Sequence, residues 1–270
     1  MPVISIIIPT YKPQHYLIDC LDSIVAQTLD ASRFEVIIVL NGCDQPYRAQ
    51  IEEYKNAHKT HNITLLSADA AGVSYARNEG IKHSAGDYVC FVDDDDWLSP
   101  NYLQELLSHA DGMDIVVSNV LQIDEKDKHV VPHFLTTCFK NNCQLKHRTM
   151  WGMRSFFSTA CAKIISRKAI GSNLFDTRFK LGEDSLFMFA VSAQTHHVTL
   201  SDSNAVYYIR KHSDSVSRKS IKFSDKATVL LKLTQAYIAA WCKHPCQYNF
   251  VFFLTRIAAT LSKLFIKGYR

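Results

Sequence analysis

The first hundred residues alternate short β-branched apolar runs with stretches of helical period. Val3-Ile4-Ser5-Ile6-Ile7-Ile8 is almost continuously apolar and stops at Pro9-Thr10, which predicts a strand buried on both faces. Leu17, Cys20, Leu21, Ile24 and Val25 then recur at helical spacing over 16–26, and Phe34 to Leu40 reads as a second buried strand closed by Asn41-Gly42. A helix over 45–58, a strand over 63–66, a helix over 74–82 and a strand over 88–92 follow. Beyond these come a helix over 102–110 and a strand over 114–118. This β-α-β-α order predicts a doubly wound, mostly parallel α/β sheet, whose ligands bind at the carboxyl ends of the strands. From about residue 119 the pattern is less regular.

The fourth strand runs directly into Asp93-Asp94-Asp95-Asp96, followed by Trp97-Leu98-Ser99-Pro100. Two carboxylates about 6 Å apart at an effective dielectric of about 20 repel by roughly 3 kcal/mol, so such a run is best tolerated around a cation. Magnesium or manganese suits all-oxygen ligands, takes one or two protein carboxylates and completes its shell with water and substrate phosphate. The competing reading makes Ser99 an N-cap and Pro100 a first-turn residue, with the acids at the positive end of a helix. That accounts for one or two acids and leaves the others unpartnered.

At 270 residues and 47% hydrophobic, the chain can bury a full core. It contains no apolar run of 18 residues and opens on a strand rather than a basic leader, so a cytoplasmic location is expected. The 8 cysteines show neither a disulfide framework nor zinc spacing. Net charge is +4, unevenly spread: no acidic residue follows Asp225, and seven basic residues do. Residues 1–225 therefore carry 23 basic against 26 acidic side chains, a balance of −3. Basic residues interleaved with large apolar ones on a tail, beside a net negative body, argue against nucleic-acid binding.

Several segments together resemble glycosyltransferase family 2, the inverting nucleotide-sugar enzymes. They are Ser5 to Tyr11, the Gly72-Val73-Ser74-Tyr75-Ala76-Arg77-Asn78-Glu79-Gly80 turn and helix, Gly86 to Trp97 as the DXD region, Gly182-Glu183-Asp184 as the ED motif, and Arg210-Lys211-His212-Ser213-Asp214-Ser215 as the closing segment. The resemblance covers about 3–218. It implies a GT-A fold, a Rossmann-like doubly wound, mostly parallel sheet with helices on both faces, to which the tail adds a C-terminal helical extension. The implied organisation is a catalytic domain over 1–220, its nucleotide-sugar half about 1–100 and its acceptor half about 101–220, followed by a basic amphipathic tail over 221–270.

By the same resemblance Asp184 is the general base and Glu183 its orienting partner or an acceptor contact. Asp95, Asp93 and His212 are metal ligands for Mg²⁺ or Mn²⁺. Pro9, Thr10, Tyr11, Asn41, Asp44, Arg77, Asp93, Asp94, Arg210 and Ser215 line the donor site. A UDP-sugar is the favoured donor, although Asn41 stands where the family often has an acidic pair. The expected reaction is sugar transfer to a saccharide or lipid-linked acceptor in capsule or lipopolysaccharide synthesis. The alternatives are a sugar-1-phosphate nucleotidyltransferase and a non-catalytic nucleotide-sugar-binding scaffold.

Read from the residues alone, Arg77 can instead form a surface pair with Glu79 or Asp69, and Glu183-Asp184 can simply begin a helix over 185–193. Trp97 and Trp151 can stack on a sugar or pack in the core. In the tail, helices over 226–243 and 248–267 are expected. On the second, Arg256, Lys263, Lys267 and Arg270 fall on one stripe, suited to an anionic inner-membrane surface. Packing of that helix on the catalytic domain or on a second subunit is the rival.

Overall fold

The computed structural model describes residues 3–42, 44–68, 70–145, 150–211 and 223–262. The strands read from the apolar runs are present: β1 (Ile4–Thr10), β2 (Phe34–Asn41), β3 (Ile63–Ala68), β4 (Tyr88–Phe91) and β6 (Ile115–Val117). Between them lie α1 (Tyr16–Val25), α2 (Tyr47–Ala57), α3 (Val73–His83) and α4 (Tyr102–Ser108). Every residue of β1 and β2 is buried, as continuous apolar runs require when helices cover both faces of a sheet.

Seven strands form the main sheet in the order β10-β6-β9-β4-β1-β2-β3, with β9 (Lys163–Ser166) and β10 (Val198–Leu200) contributed by the less regular half. The sheet is mostly parallel; β9 runs antiparallel to both β4 and β6. A second sheet, not anticipated from the pattern, has the order β5-β11-β7-β8. Its members are β5 (Trp97–Leu98), β7 (Asn119–Asp124), β8 (Val130–Val131) and β11 (Val206–Lys211). The helices of this half are α5 (Phe134–Cys143), α6 (Met150–Met153), α7 (Arg167–Ile170) and α8 (Glu183–Ser192), with a 3₁₀ turn at Arg154–Ser158.

The second sheet decides the first question about the Asp run. Trp97 and Leu98 pair with Tyr208 and Tyr207, and the next helix does not start until Tyr102. Ser99 is no N-cap: its hydroxyl donates to Asn204 O at 3.1 Å and accepts from Val206 N–H at 3.0 Å. The acids are thus separated from the dipole of α4 by a strand.

Helix α3 lies close against β1 because Gly80 lacks a side chain; a Cβ there would fall 2.3 Å from Ile7 Cγ2. This close approach seats Arg77, one turn earlier, under the sheet's carboxyl edge.

The tail forms α9 (Phe223–Lys243) and α10 (Phe250–Ser262), which fold back on the acceptor half. Phe252 meets Phe157 and Phe189, and Tyr237 meets Phe189 edge-on at 5.1 Å. The expected basic stripe is corrected here. Arg256 is only 6% exposed and donates to Arg154 O at 2.8 Å and to Ser185 Oγ at 3.3 Å. Those acceptors outweigh solvation of the guanidinium at the surface, so the charge faces inward. Lys263, Lys267 and Arg270 lie outside the described residues. Among the described residues no helix is long and apolar enough to cross a membrane.

Candidate active site

Strand β4 delivers the four aspartates to the carboxyl edge of the main sheet, where Arg77, Thr10 and Arg210 engage them. Asp93 accepts from Arg77 at 2.8 Å, and its own N–H donates to the Tyr207 hydroxyl at 3.1 Å. Asp94 accepts from the Thr10 hydroxyl at the end of β1. Asp96, 4% exposed, accepts from the Arg210 N–H at 2.9 Å. The Asp95 carbonyl accepts from Arg210 Nε at 2.9 Å, while its side chain lines an open cavity of about 180 Å³. Asp93, Asp96 and Arg210 share that lining, and Leu135, Thr159, Cys161, Ala162, Tyr207 and Ile209 complete the wall.

Crowding carboxylates under little solvent resists their ionisation. Burial raises Asp93, with Arg77 opposing; burial lifts Asp94 to about 7 despite the Thr10 hydrogen bond; and burial, then Asp95 and Asp93, raise Asp96. These are oxygen donors whose ionised form a nearby cation would favour. Among the described residues no group of three His, Cys, Asp or Glu side chains forms a ready metal cage. A hard divalent ion that takes one or two carboxylates from the cavity wall, and the rest from water and phosphate, fits this set. Asp93 and Asp95 are the residues that would hold it.

On the facing side, α8 begins at Glu183 after Gly182, whose φ of 80° is left-handed. Asp184 accepts from Arg77, from Ala160 N–H at 3.1 Å and from the Thr159 hydroxyl at 3.2 Å. Glu183 is pushed up to about 7 by burial and then by the charge of Asp184; its Oε2 is buried without a hydrogen-bond partner. The pair therefore does more than start a helix.

Arg77 joins the two sides. It is 3% exposed, binds Asp93 with one nitrogen and Asp184 with another, and lies 5.3 Å from the Phe175 ring centre. Burial alone would lower its pKa, but Asp184 and then Asp93 overcome that, so it stays charged. Arg77, expected in the donor site, is here engaged by both carboxylates. A surface pair is ruled out by its burial; Glu79 pairs with Lys82, and Asp69 lies outside the described residues.

Two other expectations change. Asn41 is 2% exposed and fully engaged, its amide donating to Thr10 O at 2.7 Å and its oxygen accepting from Gly72 N–H at 2.9 Å. It ties the ends of β1 and β2 to the start of α3 instead of reading a base. Arg210, expected at the donor, lines the cavity and also clamps the acidic loop, reaching Asp19 at 2.8 Å as well. Trp97 stacks on Tyr208 at 5.2 Å with the Arg210 guanidinium 4.9 Å from its ring centre, so packing within the second sheet accounts for it.

Pro9 and Thr10 are buried in β1, whereas Tyr11 is 49% exposed at its mouth. Asp44 lies at the surface and is bound by Arg48 at 2.8 Å. His212, Ser215 and the Trp151 side chain lie outside the described residues.

The sequence reading missed Thr159, Ala160 and Lys163. Lys163 is 1% exposed and donates to the carbonyls of Thr159 and Cys161, both at 2.6 Å, bracing the turn that holds Asp184. Desolvation brings its pKa down to about 8. The one available signal was a single lysine inside the apolar run Ala160 to Ile165.

Residues 5–172 match the profile of Glycosyl transferase family 2, well over half of the chain. The chain belongs to that family. It is 30% identical over 225 residues to Glycosyltransferase GlyA of Streptococcus pneumoniae serotype 4, covering 78% of this chain and 31% of that protein. The chain thus spans about a third of the length of GlyA. The crystal structure of S. aureus TarS 1–349 in complex with UDP-GlcNAc superposes with a TM-score of 0.75 at 22% identity, over 98% of this chain and 73% of that one. Mannosyltransferase PcManGT from Pyrobaculum calidifontis, in complex with GDP-Man and Mn²⁺, gives 0.65 at 15% identity, over 97% and 70%. The fold of this family 2 member is GT-A, with a C-terminal helical part.

Proposed function

We propose that this chain transfers a sugar from a nucleotide-diphosphate donor to a saccharide or lipid-linked acceptor in the synthesis of a cell-surface polysaccharide. One observation carries the reading: the Asp93–Asp96 loop lines a cavity whose wall includes Thr159, a residue that holds Asp184, and Arg77 joins Asp184 to Asp93 across the two sides. Glycosyl transfer needs both. One side must stabilise charge growing on a departing diphosphate, and the other must take a proton from the attacking hydroxyl.

Asp184 is the base in this proposal, and Thr159, Ala160 N–H and Arg77 aim it. Glu183, with its raised pKa, contacts the acceptor or receives the proton onward. A single displacement inverts the anomeric centre. Asp93 and Asp95 would hold a divalent cation, which would supply Lewis-acid neutralisation of the pyrophosphate. Thr10, Tyr11 and Asp44, at the ends of β1 and β2, flank the region assigned to the nucleoside. A UDP-sugar is the first donor to test, because TarS was crystallised with UDP-GlcNAc; Mg²⁺ and Mn²⁺ are the ions to test, PcManGT having been crystallised with Mn²⁺. We place the protein in the cytoplasm. Family membership disfavours the nucleotidyltransferase alternative.

A panel of nucleotide sugars incubated with the protein and Mn²⁺ tests this without knowledge of the acceptor. Slow metal-dependent release of nucleoside diphosphate from one donor is the expected result, and no release from any common donor contradicts it.

A further inference from the structure

Helix α10 turns an uncharged apolar face outward. Phe250, Val251, Leu254, Ala258 and Leu261 are exposed at i, i+3 and i+4 spacing, and Arg256, the single charged residue of α10, is buried on the opposite side. A continuous apolar stripe of this kind marks an interaction surface. On α9, joined to α10 by contacts of Trp241 with Phe250 and Phe253, Lys232 and Lys243 are exposed alongside Leu231 and Ile238.

Charge selects the occupant. Apart from the buried Arg256, the segment after Asp225 holds six basic residues and no acidic one, so self-pairing of this face sets two like-charged segments against each other. An anionic lipid surface offers what both features need, an apolar layer beneath a negative one. The face also lies directly behind the acceptor side. Arg256 of α10 and Tyr237 of α9 both bind the Ser185 hydroxyl, at 3.3 and 2.8 Å, and Ser185 follows Asp184 in the first turn of α8.

We propose that the exposed face of α10, with the lysines of α9, seats on an anionic bilayer and so presents the Glu183–Asp184 side to an acceptor held in that bilayer. The docking stands on the surface alone; its purpose rests on the glycosyl-transfer reading.

Co-sedimentation of the full chain with phosphatidylcholine vesicles, and with phosphatidylcholine–phosphatidylglycerol vesicles, tests it. The full chain is expected to pellet with the anionic vesicles only, and less as salt rises. Introducing L254E and L261E together is expected to weaken that binding by roughly tenfold or more, because both side chains leave the apolar layer as charges. Release of nucleotide from a soluble donor is expected to be unchanged in that variant, which shows that the catalytic half has folded. Three results overturn the proposal: no pelleting with anionic vesicles, equal pelleting with neutral ones, or binding that the double variant leaves intact. A dimer in light scattering that the double variant dissolves also overturns it, assigning the face to a second copy. Vesicle binding by a chain that turns over no nucleotide sugar would leave the docking in place and remove the transfer reading.

Discussion

A single arginine links the two halves of the chemistry. Arg77 neutralises Asp93 and Asp184 together while buried, and among the described residues neither carboxylate has a second cation as close. Replacing it by Met leaves two partly buried charges unpaired, and the expected loss is about 3 kcal/mol in a urea titration. Asp184→Asn keeps the shape and the Thr159 and Ala160 neighbours but removes the basic oxygen. Transfer is expected to fall by about a thousandfold or more while donor affinity, read by calorimetry, stays within about twofold.

Glu183 makes stability depend on pH. Its pKa rises from the ordinary 4.5 to about 7 in the folded chain, through burial first and Asp184 second. Between those values the folded state holds a proton that the unfolded state has lost, so stability is full below about 4.5 and declines as pH rises through about 7. Asp94 adds a slope of the same sign. Urea midpoints measured from pH 5 to pH 8 should therefore fall, and Glu183→Gln should flatten the decline; an unchanged slope in that variant would mean that Glu183 ionises normally.

At the scale of elements, α8 is placed by a glycine and by the tail. Gly182 has a left-handed φ of 80°, and a Cβ there would fall 2.6 Å from Leu233 Cδ2 on α9. Gly182→Ala is expected to cost about 1–3 kcal/mol, from backbone strain and from pushing α9 away. Thermal unfolding checks it, and no change in midpoint would show that α9 packs more loosely than described. The first four strands were legible because Ile4–Thr10 and Phe34–Asn41 are apolar runs with a local stop. The second sheet was not: β5 is two residues long, and β11 pairs with β7 across more than eighty residues of chain. Nothing in a local period announces such a pairing.

Over the whole molecule, residues assigned singly by motif turn out to be shared differently by the fold. The acids were legible because four carboxylates after a buried strand are costly wherever they occur. Their partners were not, since Arg77 meets Asp184 across 107 positions and Arg210 meets Asp19 across 191. The buried side of Arg256 was equally hidden, because helical phase places it on a stripe with other basic residues while the carbonyls that bind it come from Arg154 and Phe157.

The proposed function requires donor and cation to meet at the Asp93–Asp95 wall. Isothermal titration of a UDP-sugar into the full chain, with Mn²⁺ and with EDTA, and repeated with Asp95→Ala, measures that meeting. The account predicts binding with Mn²⁺, a loss of about tenfold or more in EDTA, and a similar loss in the variant. Donor binding of equal strength in all three titrations would contradict it.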